Sequence, residues 1–132
     1  MAKIGYQTEA ELRNMLEKSF WKAFRVSGSI SCADIFAFKY ISSLHSFDVK
    51  LIEVKKTRAK TFYFNPLAKS QLRRLKEIQN PISEPICFFA IKFTNRGWKI
   101  ISVKKLEGKP IKWEEQDGNN YERLDASFSD KD

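Results

Sequence analysis

An acidic and a basic side chain stand two residues apart in the largely apolar run 51–56. In a β-strand, side chains two apart share a face. Glu53 and Lys55 are therefore predicted to project together from a sheet, with Ile52 and Val54 on its other face. A second strand-like run begins at Asp34. Because buried strands seldom carry charged pairs and carboxylates suit hard cations, Asp34, Glu53 and Lys55 indicate a divalent-metal site with a cationic partner.

The same glutamate-lysine spacing recurs at 107–109, where Pro110 indicates a turn and no apolar run surrounds it. Context, rather than spacing, distinguishes Glu53 and Lys55. Seen alone, Asp34 also fits a turn at the end of a strand, and Glu53 also fits half of a structural salt bridge. The two residues by themselves leave both interpretations open.

The first predicted helix carries one acidic residue among apolar ones. Thr8 and Glu11 have the spacing of a capping box, which predicts a helix that begins at Thr8 and uses Glu11 in its own cap. Helical periodicity then turns Glu11 outward and Glu9 inward. The residues predicted to share the side of Glu9 are Leu12, Leu16 and Phe20.

A second helix is predicted to open at Asn65 and Pro66, an N-cap followed by proline at the first helical position. Gln71 falls in the middle of its apolar stripe, which consists of Leu67, Leu72, Leu75 and Ile78. A buried polar group costs free energy unless it is hydrogen-bonded or bound to metal. Polar residues aimed inward from both helices favour a functional site.

The predicted order of elements is helix 8–18, strands 21–26, 34–40 and 50–56, helix 66–79, and strands 85–93 and 98–103. A chain of 132 residues is long enough for one domain with a core. This order predicts a single α/β domain with a central mixed β-sheet flanked by helices.

The motifs, taken in order, resemble the archaeal Holliday-junction resolvases of the PD-(D/E)xK nuclease superfamily. They are Gly5-x-x-x-Glu9, the Phe-Arg-Val-Ser-Gly-Ser segment 24–29, Asp34-Ile35, Ile52-Glu53-Val54-Lys55 and a helix bearing Gln71. Segments 90–93 and 98–100 are similar to the last two core strands of the family. The resemblance runs from about Gly5 to Val103 and implies a restriction-endonuclease-like fold.

The resemblance also implies roles for individual residues. Asp34 and Glu53, with the carbonyl of Val54, would hold the metal, and Glu9 would support the metal shell. The other implied site residues are Lys55 in catalysis, Ser29 in a loop near the scissile phosphate and Gln71 behind the active site. One departure is Ala33, which stands where the family usually has proline.

The function expected from this resemblance is a Mg²⁺-dependent endonuclease that nicks four-way DNA junctions symmetrically, with Mn²⁺ able to replace Mg²⁺. Two alternatives stay open: a related nuclease for flap, nicked or single-stranded DNA, and a non-catalytic basic DNA-binding protein. A two-fold substrate favours a homodimer. Phe62, Tyr63 and Phe64 are predicted to form either a hydrophobic brace before the second helix or, with the strand 86–93, the apolar contact area of that dimer.

Charge is unevenly distributed along the chain. Residues 1–113, the predicted nuclease domain, hold 22 Lys and Arg against 9 Asp and Glu, whereas residues 114–132, a predicted flexible acidic tail, hold 2 against 7. Such basic surface neutralises phosphates without reading sequence. The predicted DNA-binding residues are Lys56, Arg58, Lys60, Lys69 and Arg73, with Lys76 on the same helix.

Other features of the composition argue against a zinc-binding protein, a histidine-rich metal site and a membrane-spanning protein. Cys32 and Cys87 fit no zinc spacing and indicate reduced thiols in a chain without a recognisable signal peptide. His45, the only histidine, is predicted to be a solvated loop residue. The apolar runs fall short of the roughly 20 residues of a membrane span. We therefore expect a cytoplasmic, nucleoid-associated protein without a membrane partner.

Overall fold

The structure is a computed structural model that describes residues 2–26 and 33–114, with side chains described from residue 5 onward. Its helices are α1 (Ala2–Lys18) and α2 (Pro66–Gln79). Its strands are β1 (Lys22–Arg25), β2 (Ile35–Ile41), β3 (Ser46–Thr57), β4 (Thr61–Phe62), β5 (Cys87–Phe93), β6 (Gly97–Ser102) and β7 (Ile111–Lys112). Short 3₁₀ turns occupy Ser42–Leu44 and Val103–Lys105.

Five strands form the main sheet in the order β1-β2-β3-β5-β6, and β4 pairs with β7 beside it. Strands β3 and β5 are parallel, and the other neighbours in the sheet are antiparallel. The parallel pair needs a crossover, which α2 supplies. The predicted α/β domain with a central mixed sheet and flanking helices is confirmed.

The two faces of the sheet have separate cores. Leu12, Leu16, Ile35, Ile52 and Phe88 form much of the α1 side, with Val54 packed against them. The α2 side is built from Leu72, Leu75, Phe89, Ile91, Phe93 and their neighbours. Ile52 and Val54 thus lie toward α1. Strand alternation places Glu53 and Lys55 on the α2 side, as the period of two predicted.

The predicted start of α1 is wrong. The helix begins at Ala2, so Thr8 is an interior residue and is buried. A capping signature is local, and the helix-compatible residues before Thr8 extend the helix beyond it. Glu11 is consequently free of any cap. Its carboxylate accepts hydrogen bonds from Lys92 of β5 and, at 3.3 Å, from Trp98 Nε1 of β6.

Phe20 does not join the buried stripe of α1. The helix ends at Lys18, and Phe20 has a left-handed φ of 71°. Its side chain is 86% exposed, and Trp21 is buried instead. The turn closes with the amide of Trp21 donating to the carbonyl of Leu16 at 3.0 Å. Helical periodicity does not show where a helix ends, so the predicted apolar stripe extends past the end of α1.

Helix α2 has the predicted bounds, and Asn65 caps it by accepting from the amide of Ala68 at 2.8 Å. Leu72 and Leu75 are buried as predicted, but Leu67 is 63% exposed. Leu67 lies in the first turn, ahead of the part of α2 that rests on the sheet. Ala68 and Gln79 take buried positions that the stripe did not include.

Most of the predicted dimer contact area is interior. Phe62 and Phe64 are buried and stack edge to face at 5.1 Å, and Phe64 contacts Phe89. Strand β5 lies inside the sheet, between β3 and β6, and is almost fully buried. The density of aromatic residues predicts a contact surface here. Whether a strand is buried depends on the elements packed around it, which this local pattern does not show. Only Tyr63 of the three aromatic residues remains exposed.

Candidate active site

Asp34 lies where β1, β2 and β3 meet. Its amide donates to the carbonyl of Ile52 at 2.9 Å, and its own carbonyl accepts from the amide of Val26 at 2.8 Å. Its carboxylate oxygen Oδ2 accepts from the amide of Val54 at 2.8 Å. The backbone and the side chain of Asp34 are thus both fixed against β3, next to Glu53.

Glu53 is buried at the same point, with 5% of the residue exposed. Burial and, after it, the negative charge of Asp34 raise the pKa of Glu53 to about 8. Lys55 opposes the increase, with its Nζ 3.4 Å from Glu53 Oε2. The structure therefore brings together the three residues that the strand pattern singled out, and the two carboxylates repel one another.

Glu9 approaches the same carboxylates from α1. Its Oε1 accepts from Arg25 Nε at 3.2 Å. Burial raises the pKa of Glu9, the charge of Asp34 adds to that increase, and Arg25 opposes it. The predicted distinction from Glu11 holds in space, since Glu11 contacts Lys92 and Trp98 instead. Helical phase correctly turned Glu9 toward the site, but the predicted outward direction of Glu11 is wrong, because its carboxylate lies against β5 and β6.

Arg25 is a site residue for which sequence reasoning assigned no role. Its guanidinium lies 3.8 Å from the ring centroid of Tyr6 while it pairs with Glu9. Arg25 is opposite Ile35 in the β1–β2 register, one residue from Asp34. A basic residue at the end of an edge strand, next to a predicted acidic site, was the available signal.

Gln71 projects from α2, which covers the face of the sheet that carries Glu53 and Lys55. Its Oε1 is buried without a hydrogen-bond partner among the described residues. The prediction of a polar group aimed into an apolar face is confirmed, while the role of Gln71 behind the active site stays a prediction. Ser29 and Cys32 lie outside the described residues, as does the tail 115–132.

The predicted DNA-binding residues lie on two exposed segments. Lys56, Arg58 and Lys60 are exposed at the end of β3 and just after it. Lys69 and Arg73 are exposed on α2, where they line a groove of about 840 Å³ against the 107–109 turn. Glu77 and Glu107 line the same groove, so its charge is mixed. The segment after β3 is the more uniformly basic surface.

The donor set suits a hard cation, although it is smaller than predicted. Across residues 2–26 and 33–114, no three His, Cys, Asp or Glu side chains are grouped to hold a metal ion. Glu9 is held by Arg25, which leaves Asp34 and Glu53 as the carboxylates of this site that a cation would contact directly. Their mutual repulsion and the burial of Glu53 are what a bound cation would offset. The residues therefore fit a Mg²⁺ ion that keeps several waters.

A mixed sheet with clustered carboxylates at the β2–β3 end defines a domain of the restriction-endonuclease-like class. The family model described as archaeal Holliday junction resolvase (Hjc) matches residues 1–123. The chain belongs to this family. No curated protein matches the sequence significantly.

Solved structures support the fold. The 1.6 Å structure of Hjc from Archaeoglobus fulgidus, described as a Holliday junction resolvase from an archaeal hyperthermophile, superposes with a TM-score of 0.62 at 22% sequence identity. The alignment covers 82% of this chain and 83% of that chain. The shared architecture confirms the predicted fold class. None of the described helices has the length and apolar character needed to cross a membrane.

Proposed function

We propose that this chain is a Mg²⁺-dependent endonuclease that cleaves four-way DNA junctions by paired, symmetric nicks. The observation that carries the proposal is the junction of β2 and β3. There Asp34 accepts from the amide of Val54 at 2.8 Å, and burial followed by the charge of Asp34 raises the pKa of the adjacent Glu53. Membership in the archaeal Holliday junction resolvase family supplies the substrate class.

Asp34, Glu53 and the carbonyl of Val54 would hold the metal, and Glu9 would stabilise that shell through Asp34. Bound Mg²⁺ would polarise the scissile phosphate and acidify a water molecule. Mn²⁺, which also accepts oxygen ligands, would replace it. Glu9 is kept in position by Arg25, itself seated on the ring of Tyr6.

Lys55 is the cationic group of the site. Its ammonium lies 3.4 Å from Glu53, within reach of the same phosphate that the carboxylates would bring in through a metal. It would either orient the attacking water or stabilise the negative charge of the transition state. Lys55→Arg tests these roles, because arginine keeps the positive charge but places its N–H donors in a different geometry, so retained cleavage would favour charge stabilisation over orientation of the water.

The exposed basic residues would bind phosphates on the DNA arms. Lys56 lies near the end of β3, and Arg58 and Lys60 follow that strand, so these residues would bind phosphates close to the strand that is cut. Lys69 and Arg73 would contact phosphates farther along the duplex. Such contacts predict a strong dependence of affinity on salt and little dependence on base sequence.

We further propose a homodimer, since two symmetric nicks need two active sites. Of the apolar contact area expected from the sequence, Tyr63 remains exposed at the surface, and Leu67 of α2 is exposed as well. Mixing wild-type protein with Glu53→Gln protein should then yield junctions nicked in one strand only. The predicted location at the nucleoid in the cytoplasm belongs to the same proposal.

The decisive experiment compares cleavage of matched four-way, flap, nicked, linear duplex and single-stranded DNA with Mg²⁺ and with excess EDTA. We expect paired nicks in the four-way junction, no cleavage in EDTA and restored cleavage with Mn²⁺. Preference for flap or single-stranded DNA would support the related-nuclease alternative. Binding without cleavage under every metal condition would instead support the non-catalytic alternative.

A further inference from the structure

The side of the sheet that carries Glu53 is only partly covered. Helix α2 contacts β5, and its buried residues pack with Phe89 and Ile91. Strands β1 and β2, at the far edge, carry aromatic side chains on this same side. We name the aromatic platform by its members: Phe24, Phe36, Phe38, Tyr40 and Phe47.

The aromatic platform is a connected set of rings. Phe24 stacks on Phe38 at 6.0 Å with an interplanar angle of 26°, and Phe36 lies 6.0 Å from Phe38. Phe47 contacts Phe38 at 5.6 Å and Tyr40 at 5.2 Å. Ring contacts in this range fix the rings relative to one another. The result is a preorganised surface that spans three strands.

Much of this surface is exposed to solvent. Phe24 is 54% exposed, Tyr40 52% and Phe47 60%. Exposed aromatic rings that lie together on a sheet indicate a binding surface rather than scattered surface residues.

The aromatic platform is continuous with the candidate active site. Along β3, residues 47, 49, 51, 53 and 55 share one face. Leu51 is the register partner of Phe36, which in turn pairs with Phe24. Two residues of strand separate Leu51 from Glu53, which is about 7 Å. Phe36, a member of the aromatic platform, likewise follows Asp34 by two residues, so the near end of the aromatic platform is within about one nucleotide of the candidate metal ligands.

The charge around the aromatic platform is positive. Lys22 is exposed on the same face of β1, two residues from Phe24. Within β1, β2 and β3, the acidic residues are Asp48 and Glu53. Alternation turns Asp48 to the opposite face, where it lies 3.2 Å from Lys50 Nζ. Away from the active site, these three strands thus present rings and a cation but no carboxylate on this face, and Glu84 of the 80–86 loop is an acidic neighbour at its far end, where it lines a pocket with Phe47.

We propose that the aromatic platform stacks DNA bases that become unpaired where the junction opens at its branch point, next to the scissile phosphate. The inference rests on the proposed nuclease function and names the feature of a branched substrate that this face would bind. Sheet surfaces with aromatic side chains bind exposed bases by stacking, and a nearby cation holds the backbone. The aromatic composition, the positive rim and the continuity with the active site favour DNA over a second copy of the chain.

The test measures binding of labelled oligo-dT of about 12 nucleotides and of the same oligomer with abasic sites in the middle, in EDTA. Backbone charge is equal in the two probes, so their affinity ratio reports stacking. We expect the wild-type protein to bind oligo-dT about tenfold more tightly. The double variant Phe24→Leu with Phe47→Leu should bring the ratio close to one while leaving affinity for the abasic probe unchanged.

Phe20→Leu is the matched control, because it removes an exposed ring that makes no ring contact with a member of the aromatic platform; its ratio should stay at the wild-type value. If the double variant fails to fold, Tyr40→Leu alone should lower the ratio severalfold. An unchanged ratio in a folded variant overturns the proposal. So does a double variant that changes a dimer to a monomer in sedimentation without changing the ratio, since the face then binds a second copy.

This readout is separate from catalysis. A wild-type protein that shows the base preference but cuts no DNA structure would contradict the proposed function and leave the aromatic platform supported. A protein that cuts junctions in Mg²⁺ but binds both probes equally would contradict the aromatic platform alone.

Discussion

The carboxylate of Asp34 accepts a hydrogen bond from the backbone amide of Val54 at 2.8 Å. This contact couples the start of β2 to the strand residue between Glu53 and Lys55. The amide of Val54 belongs to the backbone of β3 and has a fixed position. Its hydrogen bond therefore holds the Asp34 carboxylate beside Glu53 before any cation binds. The main-chain contact of one acid therefore sets the distance between the two candidate metal ligands.

Replacing Asp34 or Glu53 by alanine should abolish Mg²⁺-dependent cleavage. DNA affinity should stay nearly unchanged, since the loss of a carboxylate also removes repulsion from phosphate. Gel-based cleavage and anisotropy on the same junction would measure both quantities. Wild-type cleavage that persists in excess EDTA would contradict the metal mechanism.

Glu9→Gln and Glu11→Gln form a matched pair on one helix. Glu9→Gln should lower turnover by at least about 100-fold, because its charge acts on Asp34 at the site. Glu11→Gln weakens the partly exposed contact with Lys92, so it should cost about 1 kcal/mol of unfolding free energy and leave turnover intact. Single-turnover kinetics and urea melts would check the pair. Equal losses of turnover would show that Glu9 has no special role.

The buried Glu53 should make the metal-free protein less stable as pH rises. Its pKa is about 8 in the folded protein against 4.5 for an ordinary glutamate, so folding favours the protonated form. That contribution is complete below pH 4.5 and is lost as pH rises through about 8. Urea melts in EDTA should show a decline on the order of a few kcal/mol over this range.

Glu53→Gln is the control for that pH dependence, since glutamine does not titrate. Its stability should fall less over the same pH range than that of the wild type. Parallel pH profiles for the two proteins would show that Glu53 ionises without cost in the folded state.

Gln79 should be the most costly polar residue of α2 to replace. Its Oε1 accepts from the amides of Ile86 and Cys87 at 2.7 and 2.9 Å, and its Nε2 donates to two carbonyls of the 80–86 loop. Gln79→Leu would leave those groups unpaired and should cost about 3 kcal/mol. The neighbouring exposed Glu77→Leu should change stability by less than about 0.5 kcal/mol. Equal shifts of the melting temperature for both variants would contradict a stabilising role of the Gln79 hydrogen bonds.

Deleting residues 114–132 should tighten non-specific duplex binding at low salt. The segment holds 7 of the chain's 16 acidic residues and would compete with phosphate for the basic surface. The gain should shrink as salt increases. Trp113 is retained because it packs against Phe93 at 5.4 Å. A truncated protein that binds no more tightly would show that the tail does not compete.

The sequence by itself determined the strand alternation at Glu53 and Lys55, the bounds of α2 and its Asn65 cap. These features follow from local periodicity and capping chemistry, which act over a few residues. The direction of Glu9 followed in the same way from helical phase, although the start of α1 did not. Local signals of this kind hold wherever tertiary contacts reinforce them.

Only the tertiary structure decided which side chains meet across elements. Three contacts join distant parts of the chain: the amide of Val54 with Asp34, the guanidinium of Arg25 with the ring of Tyr6, and the carboxylate of Glu11 with Lys92. The last of these replaces the capping role predicted for Glu11. Strand order likewise decided that Phe62 and Phe64 are buried while Phe24 and Phe47 are exposed. Sequence spacing carries no information on such pairings, because sheet order and register bring these residues together.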